Sequence, residues 1–307
     1  MRYRFHTADV FTDRIFAGNP LAVFPDGRGL QTSQMQQVAR EFNLSETVFV
    51  LPPEKPAGTR RVRIFTPQAE LPFAGHPTIG TAHVLAWLGE IPLRGETVEI
   101  VLEEGVGDVP VLIRVRDGRP VFTQLTAAKL PEWGPPAPAP EAIARALSVE
   151  VSDLLAGRDK PEIVSCGLPF LFVPLKSRDA VARARVNLAE WSRAFSGYPT
   201  SEIYLFSYET ELPDSHVHAR LFAPALGVAE DPATGSAAAA LAGYLGARDP
   251  RQNESLHWRV EQGLEMGRPS FLEVEADKKG DSIVAVRVGG KTVMVSEGEI
   301  EIPDAAK

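Results

Sequence analysis

Several short stretches of the chain alternate apolar and polar residues with a period of two, which predicts strands. Residues 2–10, 44–50, 60–66, 97–103 and 109–115 read as strands, with Gly105-Val-Gly107-Asp108 as the turn between the last two, and the short run 20–24 also reads as a strand. One segment keeps a helical period instead: Met35, Val38, Ala39 and Phe42 stand at i, i+3, i+4 and i+7, predicting a helix over 33–42. Ser33 and Gln36 have the spacing of a capping box at its start. Farther on, the pattern predicts short helices at 141–147, 152–156 and 187–194, and strands at 170–175, 202–208 and 216–222. Residues 257–302 read as mostly strand, and the last piece, Glu299–Ile302, is able to pair with either half of the protein.

Two segments resemble each other. Arg63-Ile-Phe65-Thr-Pro67 is echoed by Arg220-Leu-Phe222-Ala-Pro224, 157 residues later. Pro72-Phe-Ala-Gly75 is echoed by Pro232-Ala-Thr-Gly235, 160 residues later. Each copy ends in a small-residue turn that opens a helix. The first helix has Pro77 at its expected first position and Gly89 past its end; the second runs from Ala237 and is expected to stop at Gly246. A duplicated half facing its twin aims two helix N-termini into one cleft, which suits a small anion.

Between the copies lies Pro131-Glu-Trp-Gly-Pro-Pro-Ala-Pro-Ala-Pro140, whose proline content predicts an extended linker. The domains expected from it are 1–130, joined by a C-terminal strand at 297–307, and 131–296. Runs of strands with one helix per copy do not suit a doubly wound parallel sheet. They predict an α+β fold: a curved antiparallel sheet wrapped around a central α-helix, made twice.

Composition narrows the functions. A formal net charge of −8 over 307 residues excludes the large basic field that non-specific nucleic-acid binding needs. The alternating N-terminus does not read as a signal peptide. The longest small-apolar run, Ala237–Leu245, is far too short to span a bilayer. The expectation is a cytoplasmic protein with no membrane or nucleic-acid partner. The single cysteine, Cys166, rules out an internal disulfide.

Among residues able to do chemistry, Glu46 stands out. Alternation in Leu44-Ser-Glu46-Thr-Val48-Phe-Val50 places it on the face of Leu44, Val48 and Val50, where desolvation favours a proton-accepting carboxyl. The competing reading is a strand-end glutamate that reaches solvent. His76, before Pro77, is expected as the N-cap of its helix, either as a mere cap or as a neutral polar group facing a ligand. In the second copy Asp231 and Ser236 fall at the same turn, with Ser236 aligned to His76; a serine N-cap is the plain alternative. A Ser236-His76-Asp231 hydrolase lacks the G-x-S-x-G elbow. His216 and His218 share a strand face, but Arg220 continues that face and no nearby Cys or carboxylate completes a metal site.

Five motifs together resemble the PhzF-like phenazine-biosynthesis isomerase family, of the diaminopimelate epimerase-like superfamily. They are Phe16-Ala-Gly-Asn19-Pro20-Leu-Ala-Val23, Asn43-Leu-Ser-Glu46-Thr, Phe73-Ala-Gly-His76-Pro-Thr-Ile-Gly80, Asp231-Pro-Ala-Thr-Gly-Ser236 and Glu261-Gln-Gly-Leu-Glu-Met-Gly-Arg-Pro-Ser270. The resemblance implies two similar domains with the active site between them, proton transfer without a cofactor or metal, and a homodimer. In the family's characterised isomerase, trans-2,3-dihydro-3-hydroxyanthranilate is isomerised by one glutamate, and Glu46 stands at its place. His76, Asp231 and Ser236 stand where the other active-site side chains lie, and Asn19, Gly75 and Gly235 are expected to bind substrate. Diaminopimelate epimerases use a cysteine in each turn; here the turns carry none, which excludes a two-thiol mechanism. The expected function is an isomerase or epimerase acting on a small carboxylate metabolite, with Glu46 as base. The alternative is a catalytically silent metabolite-binding protein on the same fold.

Overall fold

The computed structural model describes residues 1–303, which fall into two compact units: 1–128 with the segment from Gly289 on, and Lys129–Val288. The first unit contains β1 (Arg2–Val10), β2 (Asn19–Phe24), α1 (Thr32–Phe42), β3 (Glu46–Leu51), β4 (Arg60–Phe65), β5 (Glu70–Leu71), α2 (Gly75–Trp87), β6 (Thr97–Glu104), β7 (Gly107–Arg116) and β8 (Arg119–Thr126). The second contains β9 (Glu132–Pro136), α3 (Pro140–Leu147), β10 (Glu162–Ser165), β11 (Pro169–Pro174), α4 (Arg178–Arg183), α5 (Leu188–Ala194), β12 (Ile203–Ser207), β13 (Val217–Ala223), β14 (Val228–Asp231), α6 (Gly235–Gly246), β15 (Ser255–Gln262) and β16 (Ser270–Lys279). After β17 (Ser282–Gly290), the chain returns to the first unit in β18 (Thr292–Glu301), antiparallel to β1.

The fold is α+β, and the duplication extends to strand pairing. In the first unit β1/β2, β3/β4, β4/β5 and β6/β7 pair antiparallel, while β2/β3 and β4/β6 pair parallel. In the second, β10/β11, β12/β13, β13/β14 and β15/β16 are antiparallel, and β11/β12 and β13/β15 are parallel. Antiparallel pairing dominates, as the short alternating runs imply. The parallel pairs arise because a helix stands between their strands, and a parallel connection needs such a crossover.

One helix per unit is buried on every side. All of Gly75–Ala86 in α2 is buried, as is all of α6 except Ser236. Such helices carry no polar stripe because strands surround them: β1, β2, β3, β7 and β8 around α2, and β10, β11, β15 and β16 around α6. A second core lies on the other sheet face. In the first unit Phe24, Phe49 and Phe65 pack with Met35 and Val38 of α1. In the second, α3, α4 and α5 supply Ile143, Leu147, Val181 and Trp191.

The repeated arginine has a structural reason. Arg63 donates from Nε and Nη2 to the Glu70 carboxylate at 2.7 and 2.6 Å and lies over the Phe65 ring. Arg220 does the same to Glu230, at 2.7 and 2.8 Å, and lies over Phe222. Bidentate pairs of this kind fix geometry as well as charge. Each clamps the segment that leads into the helix-opening turn. The glycines closing β6 and β15 match too: a Cβ on Gly105 would meet Pro72 Cα at 2.8 Å, and one on Gly263 would meet the Pro232 carbonyl at 2.6 Å.

Several local expectations are corrected. The capping residue of α1 is Gln31, whose backbone N–H donates to Gln34 Oε1 at 2.8 Å, so Ser33 and Gln36 do not form the box. Gln36 instead donates to the Thr66 carbonyl. The N-caps of α2 and α6 are Ala74 and Thr234, which puts His76 and Ser236 inside the first turn. Pro77 is then the third helical residue, still within the turn whose N–H groups have no helical acceptor. As expected, α6 stops at Gly246, where a Cβ would press on Ala276 at 3.1 Å, and Gly89, with φ +78°, follows α2. The proline-rich stretch is no mere linker. It forms β9, antiparallel to β10, and proline is tolerated at a sheet edge. The short helix α4 was not legible, since six residues give too few turns for a period. Residues 304–307 of the expected terminal strand lie outside the described residues. Among the described residues no helix is long and apolar enough to cross a membrane.

Candidate active site

In the first unit three chain segments begin at one place. Asn19 opens β2, Glu46 opens β3 and His76 lies in the first turn of α2. Parallel pairing sets Glu46 beside Leu21, and the same register sets Val48 beside Val23. Both faces of β3 are buried, so alternation was a weaker sign than the sequence suggested. The position at the strand's start matters more: it leaves the Glu46 side chain 15% exposed, beside a His76 side chain only 5% exposed.

His76 Nε2 lies 3.2 Å from Glu46 Oε2, and its Nδ1 lies 3.2 Å from Asn19 Nδ2. Burial pushes the His76 pKa down to about 3, and a hydrogen bond to Pro20 only partly opposes it. The imidazole is therefore neutral at physiological pH. It stands against the glutamate without cancelling its charge, and since Nε2 makes no hydrogen bond the 3.2 Å approach is a close contact. The loop that delivers Asn19 is held by Asp9, which accepts from the Phe16 N–H at 2.6 Å, with Phe16 in the left-handed region at φ 68°.

In the second unit Asp231 closes β14. Its Oδ2 accepts from Thr234 Oγ1 at 2.5 Å, and its backbone carbonyl accepts from Gln262 Nε2 at 2.8 Å. Gln262 also donates to Thr234 Oγ1 at 3.1 Å and accepts from Thr234 N and Tyr204 Oη. Gly235 and Ser236 open α6. Neither Ala74 nor Thr234 caps its helix through a side chain, so the first-turn amides of α2 and α6 are not closed off that way.

Sequence reasoning overlooked Glu202. Thr47 pairs with Phe65 and Ile203 with Phe222, and the two phenylalanines match in the repeat, so Glu202 occupies the place of Glu46. Burial and then the charge of Asp231 push its pKa up to about 7. The signal was present in the repeat, but only strand register reveals which residues correspond. Cys166 is buried, with its thiol pushed up to about 12 by burial and then by Glu132, which makes it a poor nucleophile.

His218 is also clarified. Its Nδ1 lies 2.9 Å from Glu261 and its Nε2 lies 2.8 Å from Glu265, so carboxylates distant in sequence do flank it. Burial alone would push its pKa down, but those two hydrogen bonds and charges hold it up at about 9. It is a buried imidazolium between two anions. Among the described residues no group of three or more His, Cys, Asp or Glu side chains is placed to hold a metal ion.

The model of the family described as "Phenazine biosynthesis-like protein" matches residues 8–298. The chain belongs to this PhzF-like family. It is 42% identical over 300 residues to an uncharacterized isomerase of Mesorhizobium japonicum, covering 96% of this chain and 97% of that protein. It is 36% identical over 299 residues to the trans-2,3-dihydro-3-hydroxyanthranilate isomerase of Pseudomonas aeruginosa, covering 96% and 98%. The crystal structure of a PhzF-family protein of Bacillus anthracis matches with a TM-score of 0.88 and 27% identity, covering 98% of this chain and all of that one. A hydroxyproline epimerase from Agrobacterium vitis shares the fold alone, with a TM-score of 0.63 and 14% identity. This PhzF-like chain is an isomerase, with the diaminopimelate epimerase-like fold.

Proposed function

We propose that the protein is a cofactor-independent isomerase that moves a proton within a small carboxylate substrate, with Glu46 as the only base. The observation that carries this reading is the Glu46–His76 contact, in which a partly exposed carboxylate meets an imidazole that burial keeps neutral. A C–H bond of the substrate breaks, its proton passes to Glu46 and its electron pair spreads into the substrate's unsaturated system. Glu46 then returns the proton to a different carbon, so atoms and charge balance with no redox partner. The neutral His76 ring beside the carboxylate leaves its charge uncancelled, so that Glu46 can accept the proton. This is how a positioned general base contributes, typically 10²–10⁴-fold.

Asp231 and Ser236 are proposed to hold polar groups of the substrate, with Asn19 supporting His76. Gly75 and Gly235 are proposed to let the substrate carboxylate approach uncapped first-turn amides, where partial positive charge favours an anion. The P. aeruginosa relative supports a cyclic, unsaturated amino acid as the substrate class. A homodimeric, cytoplasmic enzyme is part of the same proposal.

The test is incubation of trans-2,3-dihydro-3-hydroxyanthranilate and related cyclic acids in deuterated water, followed by mass spectrometry. Glu46→Gln should lower turnover at least about 10³-fold and stop deuterium incorporation. Incorporation at the wild-type rate would show that another group is the base.

A further inference from the structure

Glu104 ends β6 and is 92% buried, 8% of its surface being exposed, and the mechanism above does not use it. Its Oε1 lies 2.6 Å from Thr78 Oγ1. The same hydroxyl lies 2.7 Å from the carbonyl of Ala74, the N-cap of α2. A threonine hydroxyl has one proton, and a carbonyl only accepts. If Thr78 gave its proton to a Glu104 carboxylate, its oxygen would face the Ala74 carbonyl with no hydrogen between them. Both contacts are satisfied only when the carboxyl supplies the second proton.

The other half of the molecule offers an internal comparison. Glu103-Glu104-Gly105 corresponds to Glu261-Gln262-Gly263, 158 residues on. Glu103 accepts from the N–H groups of Glu54 and Lys55, as Glu261 does from Glu211 and Leu212. Gln262 donates to Thr234 Oγ1, which donates to Asp231, so an amide N–H starts a hydrogen-bond chain into the turn before α6. Glu104 occupies that place before α2, with an acid in place of the amide. Glu104 Oε2 is buried with no hydrogen-bond partner, which a neutral C=O tolerates far better than an ionised carboxylate does.

We infer that Glu104 is a protonated carboxylic acid that donates to Thr78, which donates to the Ala74 carbonyl, and that this chain positions the α2 turn bearing His76. Glu104 is thus a positioning residue, acting through Thr78. The kinetic part rests on the function proposed above; the protonation does not. Burial pushes the Glu104 pKa up to about 8. The ionisable groups on the neighbouring segments are His76 and His83 on α2, Glu99 and Glu103 on β6, Arg60, Arg61 and Arg63 on β4, and Asp108, Arg114 and Arg116 on β7, and none of them is a cause of that shift. Above its ordinary value of 4.5, the unfolded chain releases the proton while the native protein keeps it to about pH 8. Wild type therefore loses stability as pH rises through that window.

The experiment compares wild type with Glu104→Gln, Thr78→Val and Thr78→Ser. At pH 7, infrared spectra of wild type should show a protonated carboxyl C=O band that Glu104→Gln removes. The melting temperature of Glu104→Gln should gain on wild type steadily from pH 5 to pH 8. Glu104→Gln should keep kcat/KM within about twofold at pH 7 and lose any fall in activity that wild type shows above pH 8. Thr78→Val should lower kcat about tenfold with the fold intact, and Thr78→Ser should restore it. A pH-independent melting difference, or no infrared difference, would overturn the protonation. Full kcat in Thr78→Val would overturn the positioning. The infrared and melting readouts need no substrate, so they stand even if Glu46 is not the base.

Discussion

The neutrality of His76 has a thermodynamic consequence that can be measured without substrate. Its pKa is about 3 in the folded protein and near 6.5 in the unfolded chain. Between these values the unfolded state binds a proton that the native state refuses. The group's contribution to stability is therefore complete above pH 6.5 and is lost as pH falls towards 3. At about 1.4 kcal/mol per pH unit, the gap sets an upper bound of roughly 5 kcal/mol. The perturbation is His76→Asn, which keeps a short polar side chain but cannot titrate. Urea unfolding of both proteins at pH 7, 6, 5 and 4 should give a stability difference that narrows towards acid pH, by up to about 1.4 kcal/mol per unit below 6.5. His83, pushed down to about 4 by burial, contributes acid sensitivity of its own, but it is common to both proteins and cancels in the difference. Nitrogen NMR of the ring supplies the second readout: a neutral imidazole, unchanged from pH 8 to pH 5. A His76 resonance titrating near 6.5, or a stability difference that ignores pH, would refute the reasoning.

Further predictions concern the second unit. His218 is held up at about 9, above 6.5, so its stabilising contribution is complete below pH 6.5 and disappears as pH rises through 9. It is worth at most about 3 kcal/mol, and His218→Gln should abolish that alkaline loss in melts taken from pH 6 to pH 10. Arg220, 4% exposed, donates to Glu230 and also to the carbonyls of Val181, Ala182 and Ala184 at 3.0–3.2 Å. Arg220→Lys keeps the charge but cannot make the fork and the carbonyl contacts together, and should cost about 2–4 kcal/mol in urea unfolding.

Much of this protein was legible in its sequence. Period-two alternation located β1, β4, β6 and β7, because half-buried strands write their faces into the chain, whereas β2 and β3, buried on both faces, were marked by short apolar runs. The repeated Arg-x-Phe and Pro-x-x-Gly segments announced the duplication, and the motifs around Asn19, Glu46, His76 and Asp231 announced the family. What the sequence left open depended on pairing across long separations. The parallel pairs β2/β3 and β4/β6 follow from where the helices cross, and periodicity does not encode crossover. The register that equates Glu202 with Glu46 exists only once β12 is seated against β13. The contact of His76 with Glu46 joins residues 30 apart, and that of Thr78 with Glu104 joins residues 26 apart. The sequence by itself determined which residue types were available, the strand and helix periods and the family. Tertiary structure alone decided which of those residues meet, how far each is removed from water and which protons they keep. The physical reason is that strand and helix patterns are set by neighbours along the chain, whereas desolvation and hydrogen-bond partnership are set by neighbours in space.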